Sequence, residues 1–513
     1  MQYIFNLNFS LPEIFLSLSI LGQLLFGSFV AYNRSYRYPI ILNEVSFQSQ
    51  LIGVILVILY FIQFSVVSDS TGLYNGGIII SKIIVSLASL AILLFLKDAL
   101  EAQKINQFEY FFFYMMALLS LLLMLNVNDL LLFYLTMETQ TLCFYILASA
   151  NRTNIFSIEA ALKYFIAGSF FSAVYLLGTA IIYGCLGTIN LSNIYALLVI
   201  DLASFSTDLT ILVLVGIVLI TSTLLFKVSS VPFHFWMPDV YEGAPISSTM
   251  VFSILPKFSL IFFFIKWISA LGTMAYYIKD ILVFFGVLSC IVGTLYAIKQ
   301  LRIKRMMLYS SIAQVGFIIA AIGVNTLESH TAALFFTIIY IITSLLMWGN
   351  LVLIYKAHFE VSFVDDSHVD PLHINNFSNI ISYNYLWKGI FTVIFFSIAG
   401  IPPFVGFTSK FLVLKSLVAD HFLIASIFLI VASSISVFYY IRILKIAFFE
   451  SNYKNIAYNE TQNSVIKTSS DELFYKHFSI LVLTISLVFF FFFPNILFTT
   501  CEYIVLECFT VLY

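Results

Sequence analysis

The residues of this chain that could do chemistry are amines and one carboxyl set in apolar sequence. Lys227, Lys257 and Lys410 lie inside long hydrophobic runs, and Lys82, Lys163, Lys388 and Lys415 lie in or at the edge of others. Glu138 sits in the segment LTMETQT. None of these basic positions is an arginine. A lysine at the centre of a bilayer costs about 2.5–3.5 kcal/mol on the mildest scale, so each needs a reason to be there. An amine kept from water gives up its proton more readily than one in solution, whereas a guanidinium keeps its proton. Buried lysines without arginines therefore suit proton transfer better than fixed charge.

Each position also has a plainer reading. Burial favours a neutral carboxyl and a nearby ammonium favours an ionised one, so Glu138 can switch with its partner. It can equally be a neutral group bonded to a neighbouring helix. Lys163 follows Glu159 by four residues, the spacing of a helix-surface ion pair, with Ser157 as a cap. Lys227 and Lys257 are too deep to reach an interface, and the runs hold too few carboxylates to balance every lysine. His234 lies between them in sequence, with a reference pKa of about 6.5 that suits a relay. A lone histidine is more often a satisfied polar group. Lys410 follows Gly400, Ile401, Pro402 and Pro403, where it can bond carbonyls orphaned by a break or hold water. Lys82 and Lys388 are expected to snorkel to an interface, and Lys415 fits either reading.

The elements that position these groups follow from composition. The 513 residues are 61% hydrophobic and 10% charged, with a mean hydropathy of +1.02. A soluble domain carries roughly 25% charge, so this chain's solvent is lipid. A net charge of −2 without a basic block argues against nucleic acid as a partner. The five cysteines, Cys143, Cys185, Cys290, Cys501 and Cys508, show no metal-ligand spacing. No haem or Fe–S motif is present, and the start lacks a basic segment with a cleavage site. The 56 Phe and 30 Tyr fit an AT-rich coding sequence and hint at an organelle genome.

Runs long enough to cross a bilayer as helices fall at about 12–31, 49–67, 76–98, 109–126, 129–150, 158–184, 209–236, 244–266, 280–298, 305–324, 330–355, 386–419, 421–447 and 477–498. The expected fold is thus all-α and polytopic, with about fourteen transmembrane helices. With the N-terminus outside, fifteen basic residues fall in the inner loops and only Lys266 and Lys279 in the outer ones. Both termini are then outside. Residues 386–419 are too long for one crossing and hold Gly400 and Pro402–Pro403 at their middle, so they are expected to be two half-helices. The run 209–236 is also long and meets Pro232, His234 and Pro238. Unwound backbone at membrane depth is tolerated beside a water-filled cavity, and broken helices mark ion transporters.

Four segments carry a family resemblance: SIEAALKYF (157–165), VPFHFWMPDVYEGAP (231–245) leading to Pro256 and Lys257, LYSSIAQVGF (308–317) and AGIPPFVGFTSKF (399–411). Together they resemble the antiporter-like proton-channel subunits of respiratory complex I, and DVYEGAP points to the subunit 2 (chain N) branch. The resemblance spans about 109–447. It implies fourteen helices in two inverted five-helix repeats, with helices 7 and 12 broken. The divisions are an N-terminal three-helix segment (1–108), the first repeat (109–270), the second (271–447) and a loop with helix 14 (448–513). It places the family's membrane charges on Glu138, Lys163, Lys227, Lys257 and Lys410, with His234 between the helix 7 and 8 lysines.

The implied function is a subunit of NADH:ubiquinone oxidoreductase that relays protons while distant electron transfer supplies the energy. NADH, flavin, Fe–S clusters and ubiquinone would be bound by other subunits, and this chain would hold no cofactor. Partners would be the other membrane-arm subunits, including antiporter-like subunit 4 and the small ones, together with lipid. The expected location is the mitochondrial inner membrane, with a bacterial plasma membrane as the alternative. In the expected relay a proton enters from the inner side to Lys227 and Lys257, crosses to Lys410 and leaves outward. A Glu138–Lys163 pair tunes Lys227 by opening and closing. Two other readings are a stand-alone Mrp-type cation/proton antiporter and a structural subunit with vestigial charges.

Overall fold

A backbone in lipid must satisfy its polar groups internally, and a helix does this within one segment. The computed structural model describes residues 2–32, 38–70, 76–105, 107–200, 207–362, 385–449 and 470–510, and these are almost entirely helical. The first helices are α1 (Gln2–Tyr32), α2 (Tyr38–Ser70), α3 (Gly76–Ala102), α4 (Glu109–Asn126), α5 (Leu130–Ala148) and α6 (Ile155–Leu186). Next come α7 (Leu191–Ile200), α8 (Thr207–Val228), α9 (Trp236–Gly243) and α10 (Ile246–Ala270). The remainder are α11 (Ala275–Ile298), α12 (Ile303–Val324), α13 (Leu327–Ser362), α14 (Tyr385–Ala399), α15 (Val405–Ala419), α16 (Leu423–Phe449), α17 (Ser470–Phe492) and α18 (Pro494–Thr510). No named strand occurs among the described residues; Asp129 and Asn190 form an isolated bridge.

Twelve of these helices are long and apolar enough to cross a membrane singly. The chain is a multi-span membrane protein. Two of the expected spans, 209–236 and 386–419, are broken as the sequence reading had it, and a third, 477–498, departs from it. The run 209–236 ends its helix at Val228, before Pro232. The run 386–419 is two 15-residue helices, α14 and α15, each too short to cross alone. The run 477–498 is cut at Phe493, and α17 and α18 meet at 87°. Pro494 starts α18 at the first helical position, where its missing N–H costs no intrahelical bond. The short helix α7 was not foreseen.

α10, α12 and α13 are buried nearly all round and form the core. This fits their apolar residues, which cover every side rather than one stripe. α1, α6 and α16 turn Leu, Ile and Phe outward. α11 and α12 touch through glycines. A Cβ on Gly286 would come 2.8 Å from the Gly316 carbonyl oxygen, and one on Gly316 would come 2.6 Å from the Gly286 oxygen. Gly286→Val is therefore expected to lower stability by about 2 kcal/mol or more, read as a lower melting temperature of the solubilised protein. An unchanged melt would mean the two helices separate freely.

Two buried contacts fix the N-terminal helices. Lys82 of α3 pairs with Glu13 of α1, both shielded from solvent, and Lys82 also lies 5.7 Å from the centre of the Tyr60 ring. This corrects the expectation that Lys82 snorkels: a carboxylate inside the bundle holds the ammonium there. Because α18 folds back, the Glu507 carboxylate accepts hydrogen bonds from the Gly77 and Ile78 amides at the start of α3, where a negative group is favoured. Lys266 is also buried, donating to the Leu125 carbonyl at 2.9 Å at the end of α4. Lys388 is buried, with its ammonium 5.6 Å from the centre of the Phe448 ring at the end of α16. Lys415 lies 3.6 Å from Glu328 at the surface.

Candidate proton-relay site

The two helix breaks are built alike. α8 stops at Val228, and Ser229 takes a left-handed φ of +66°. The Ser229 amide then bonds the Phe226 carbonyl and the Ser230 amide the Leu225 carbonyl, each at 3.0 Å. α14 stops at Ala399, and Gly400 takes φ +83°. The Gly400 amide bonds the Ser397 carbonyl and the Ile401 amide the Phe396 carbonyl, again at 3.0 Å. Both are Schellman ends, which satisfy two orphaned carbonyls and turn the chain out of the helix. Proline follows each three residues after the left-handed position, at Pro232 and Pro403, and prevents the helix from resuming.

Side chains complete the caps. The Trp236 indole donates to the Phe226 carbonyl at 3.0 Å, and the Ser230 hydroxyl to Leu225 at 3.1 Å. At the second break Lys410 reaches back from α15 and donates to the Ala399 carbonyl at 2.7 Å. A Cβ on Gly400 would lie 2.9 Å from the Lys410 stem, so a glycine there makes room for that reach.

Lys227 and Lys257 are brought together. Both are buried, and both line one cavity of about 10 Å³. That is room for about one water. Gln140, Ser229 and Tyr241 add polar edges to it. The Lys227 ammonium has no hydrogen-bond partner among the described residues. Lys257 donates to the Tyr340 hydroxyl of α13 at 2.6 Å. Tyr340 lines a second cavity of about 20 Å³, edged by Ser310, Ser311 and Gln314 of α12 and reaching Ile398. Ile398 directly precedes Ala399, whose carbonyl holds Lys410. The three deep lysines thus lie along one file through α8, α10, α12, α13 and the α14–α15 break.

The other expected residues are placed differently. Glu138 lies on α5 within electrostatic reach of Lys227, with Thr141 3.4 Å from one carboxylate oxygen. Lys163 is exposed and pairs with Glu159 at 2.8 Å and Asp239 at 3.4 Å. Glu159 lies one turn before it on α6 and Asp239 on α9, so the partners of Lys163 are these two carboxylates rather than Glu138. His234 is buried but lines neither cavity, and its Nδ1 has no partner among the described residues. Tyr340 and Gln140 were missed, because a tyrosine or glutamine in an apolar run carries no pattern until a second helix faces it.

The family model for NADH:quinone oxidoreductase/Mrp antiporter transmembrane segments matches residues 127–437. Subunit N of NADH-quinone oxidoreductase from Pelagibacter ubique is 32% identical over 471 residues, covering 90% of this chain and 94% of its own length. NADH-ubiquinone oxidoreductase chain 2 of Marchantia polymorpha is 31% identical over 452 residues, 86% of this chain and 88% of its own. In fold, the chain is similar to a chain of respiratory complex I from Thermus thermophilus, with a TM-score of 0.72, 20% identity, and coverage of 95% of this chain and 98% of that one. The chain belongs to the NADH:quinone oxidoreductase/Mrp antiporter transmembrane family, among the relatives called subunit N or chain 2.

Proposed function

We propose that this chain is a proton-translocating subunit of the membrane arm of NADH-quinone oxidoreductase. The observation that carries this is the file itself: two buried lysines on one water-sized cavity, tied through Tyr340 to a second cavity that reaches Ile398, next to the residue whose carbonyl Lys410 caps. A proton taken up from the inner side would reach Lys227, pass through the first cavity to Lys257, cross to Lys410 and leave outward. Glu138 would steady the charged form of Lys227. A swing of Lys163 from Asp239 toward Glu138 would loosen that hold. His234, buried beside the first break, would supply a proton-accepting ring to the inner approach.

In this reading α14 and α15 are halves of one span, which with the bent α17–α18 pair makes fourteen. Residues 109–270 and 271–447 form the inverted repeats, each with a Schellman-ended break. Electron transfer, with NADH, flavin, Fe–S clusters and ubiquinone, belongs to partner subunits, which include another antiporter-like subunit and small membrane subunits. The excess of basic residues on one side supports a topology with both termini outside, in a mitochondrial inner membrane or a bacterial plasma membrane.

Native-gel fractionation of solubilised membranes, with mass spectrometry of the band, tests the assignment. Co-migration with NADH-oxidising activity and Fe–S subunits is expected. Migration apart from that activity, with Na⁺ or K⁺ exchange by the isolated protein in liposomes, would replace it by the antiporter reading.

A further inference from the structure

We propose that the Tyr340 hydroxyl is the junction between the two cavities and that its single hydrogen is the gate. The inference rests on the relay reading above. No residue lines both cavities; among the described residues, the hydrogen bond from Lys257 to Tyr340 joins the two linings directly. A phenol has one hydrogen to donate and two lone pairs. When Lys257 is charged it fills one lone pair at 2.6 Å, with its ammonium 4.3 Å from the ring centre. The phenol hydrogen then points elsewhere. In this structure it points at the Ser253 backbone carbonyl, 3.2 Å away. A carbonyl engaged this way cannot pass a proton on, so this is a parked position. Rotation about the C–O bond turns the hydrogen toward the second cavity, where the Ser311 hydroxyl lies beside it.

With the hydrogen so turned, transfer is a concerted exchange. One N–H bond of the Lys257 ammonium breaks as a new O–H bond forms at Tyr340. The original O–H bond breaks, and its proton passes to a water in the second cavity. Lys257 ends neutral, the phenol is intact, and the positive charge has moved one cavity along. The neutral amine is then an acceptor and draws the phenol hydrogen back to itself. The second cavity therefore loses its donor until Lys257 is charged again. The direction of net flow comes from the charges at either end, not from the phenol.

The test uses the assembled complex in sealed vesicles, with protons moved per NADH oxidised as the readout. Tyr340→Phe keeps the ring and its packing but removes the hydroxyl. It is expected to cut proton transfer through this chain at least about tenfold. Tyr340→His restores a group that can both accept and donate, and should recover part of the loss. If Tyr340→Phe pumps normally while Lys257→Met does not, the junction is overturned and the relay stands. If both pump normally, the relay itself fails. Should the Phe variant not assemble, the His variant decides: assembled and pumping supports the junction, assembled and silent overturns it.

Discussion

Replacing Lys257 with methionine should stop proton transfer through this chain while leaving the complex assembled. The side chain is buried between Tyr340 of α13 and the cavity it shares with Lys227 of α8, and methionine fills nearly the same space without the amine. A positioned proton donor or acceptor typically contributes 10²–10⁴-fold, so a drop of about 10²-fold is expected. Sealed vesicles and a pH-sensitive dye would follow proton movement while NADH oxidation is recorded. Lys257→Arg is the sharper companion. It preserves the positive charge but cannot release a proton. It should therefore fail like the methionine variant if the lysine must titrate, and work if the charge is structural. Normal pumping with arginine would sink the titrating role.

Lys82→Met should destabilise the protein more than any surface change. It strands the Glu13 carboxylate inside the N-terminal helices, where it is shielded from water. Removing one partner of a buried ion pair costs about 3–5 kcal/mol, whereas replacing both is close to neutral. The double variant Glu13→Gln, Lys82→Met should therefore recover most of the loss. Thermal melts of the solubilised protein, arranged as a double-mutant cycle, measure the coupling. A double variant no better than the lysine single would mean that the pair is not what holds α1 to α3.

The spans and the second break were legible because each is a local signal. Twenty apolar residues can only be a helix in lipid, and Gly400 with Pro402 and Pro403 can only interrupt one. The three deep lysines were legible for the same reason, as charges in the wrong solvent. What depended on one helix facing another was not. Lys82 looked like a snorkelling residue until α1 supplied Glu13 to it. Lys163 had a foreseeable partner in Glu159, four residues away, but Asp239 comes to it through the fold. Tyr340 is one tyrosine among thirty, and nothing in its own neighbourhood separates it from the rest. Pro494 was in plain view, yet its place near the end of an apolar run hid an 87° turn.

The linings of the two cavities also bear on which ion can use them. A dehydrated sodium ion needs several oxygen ligands at once, and a hydrated one needs more room than a cavity of about 10 Å³ gives. The first cavity presents two amines, which repel any metal cation whenever they are charged. A proton requires neither width nor a coordination shell, because it moves by exchange of bonds between atoms already in place. The narrowness that would exclude an alkali cation is therefore no obstacle to it. Selectivity of this kind needs no filter of its own: it is a property of a path made of amines, hydroxyls and spaces one water wide.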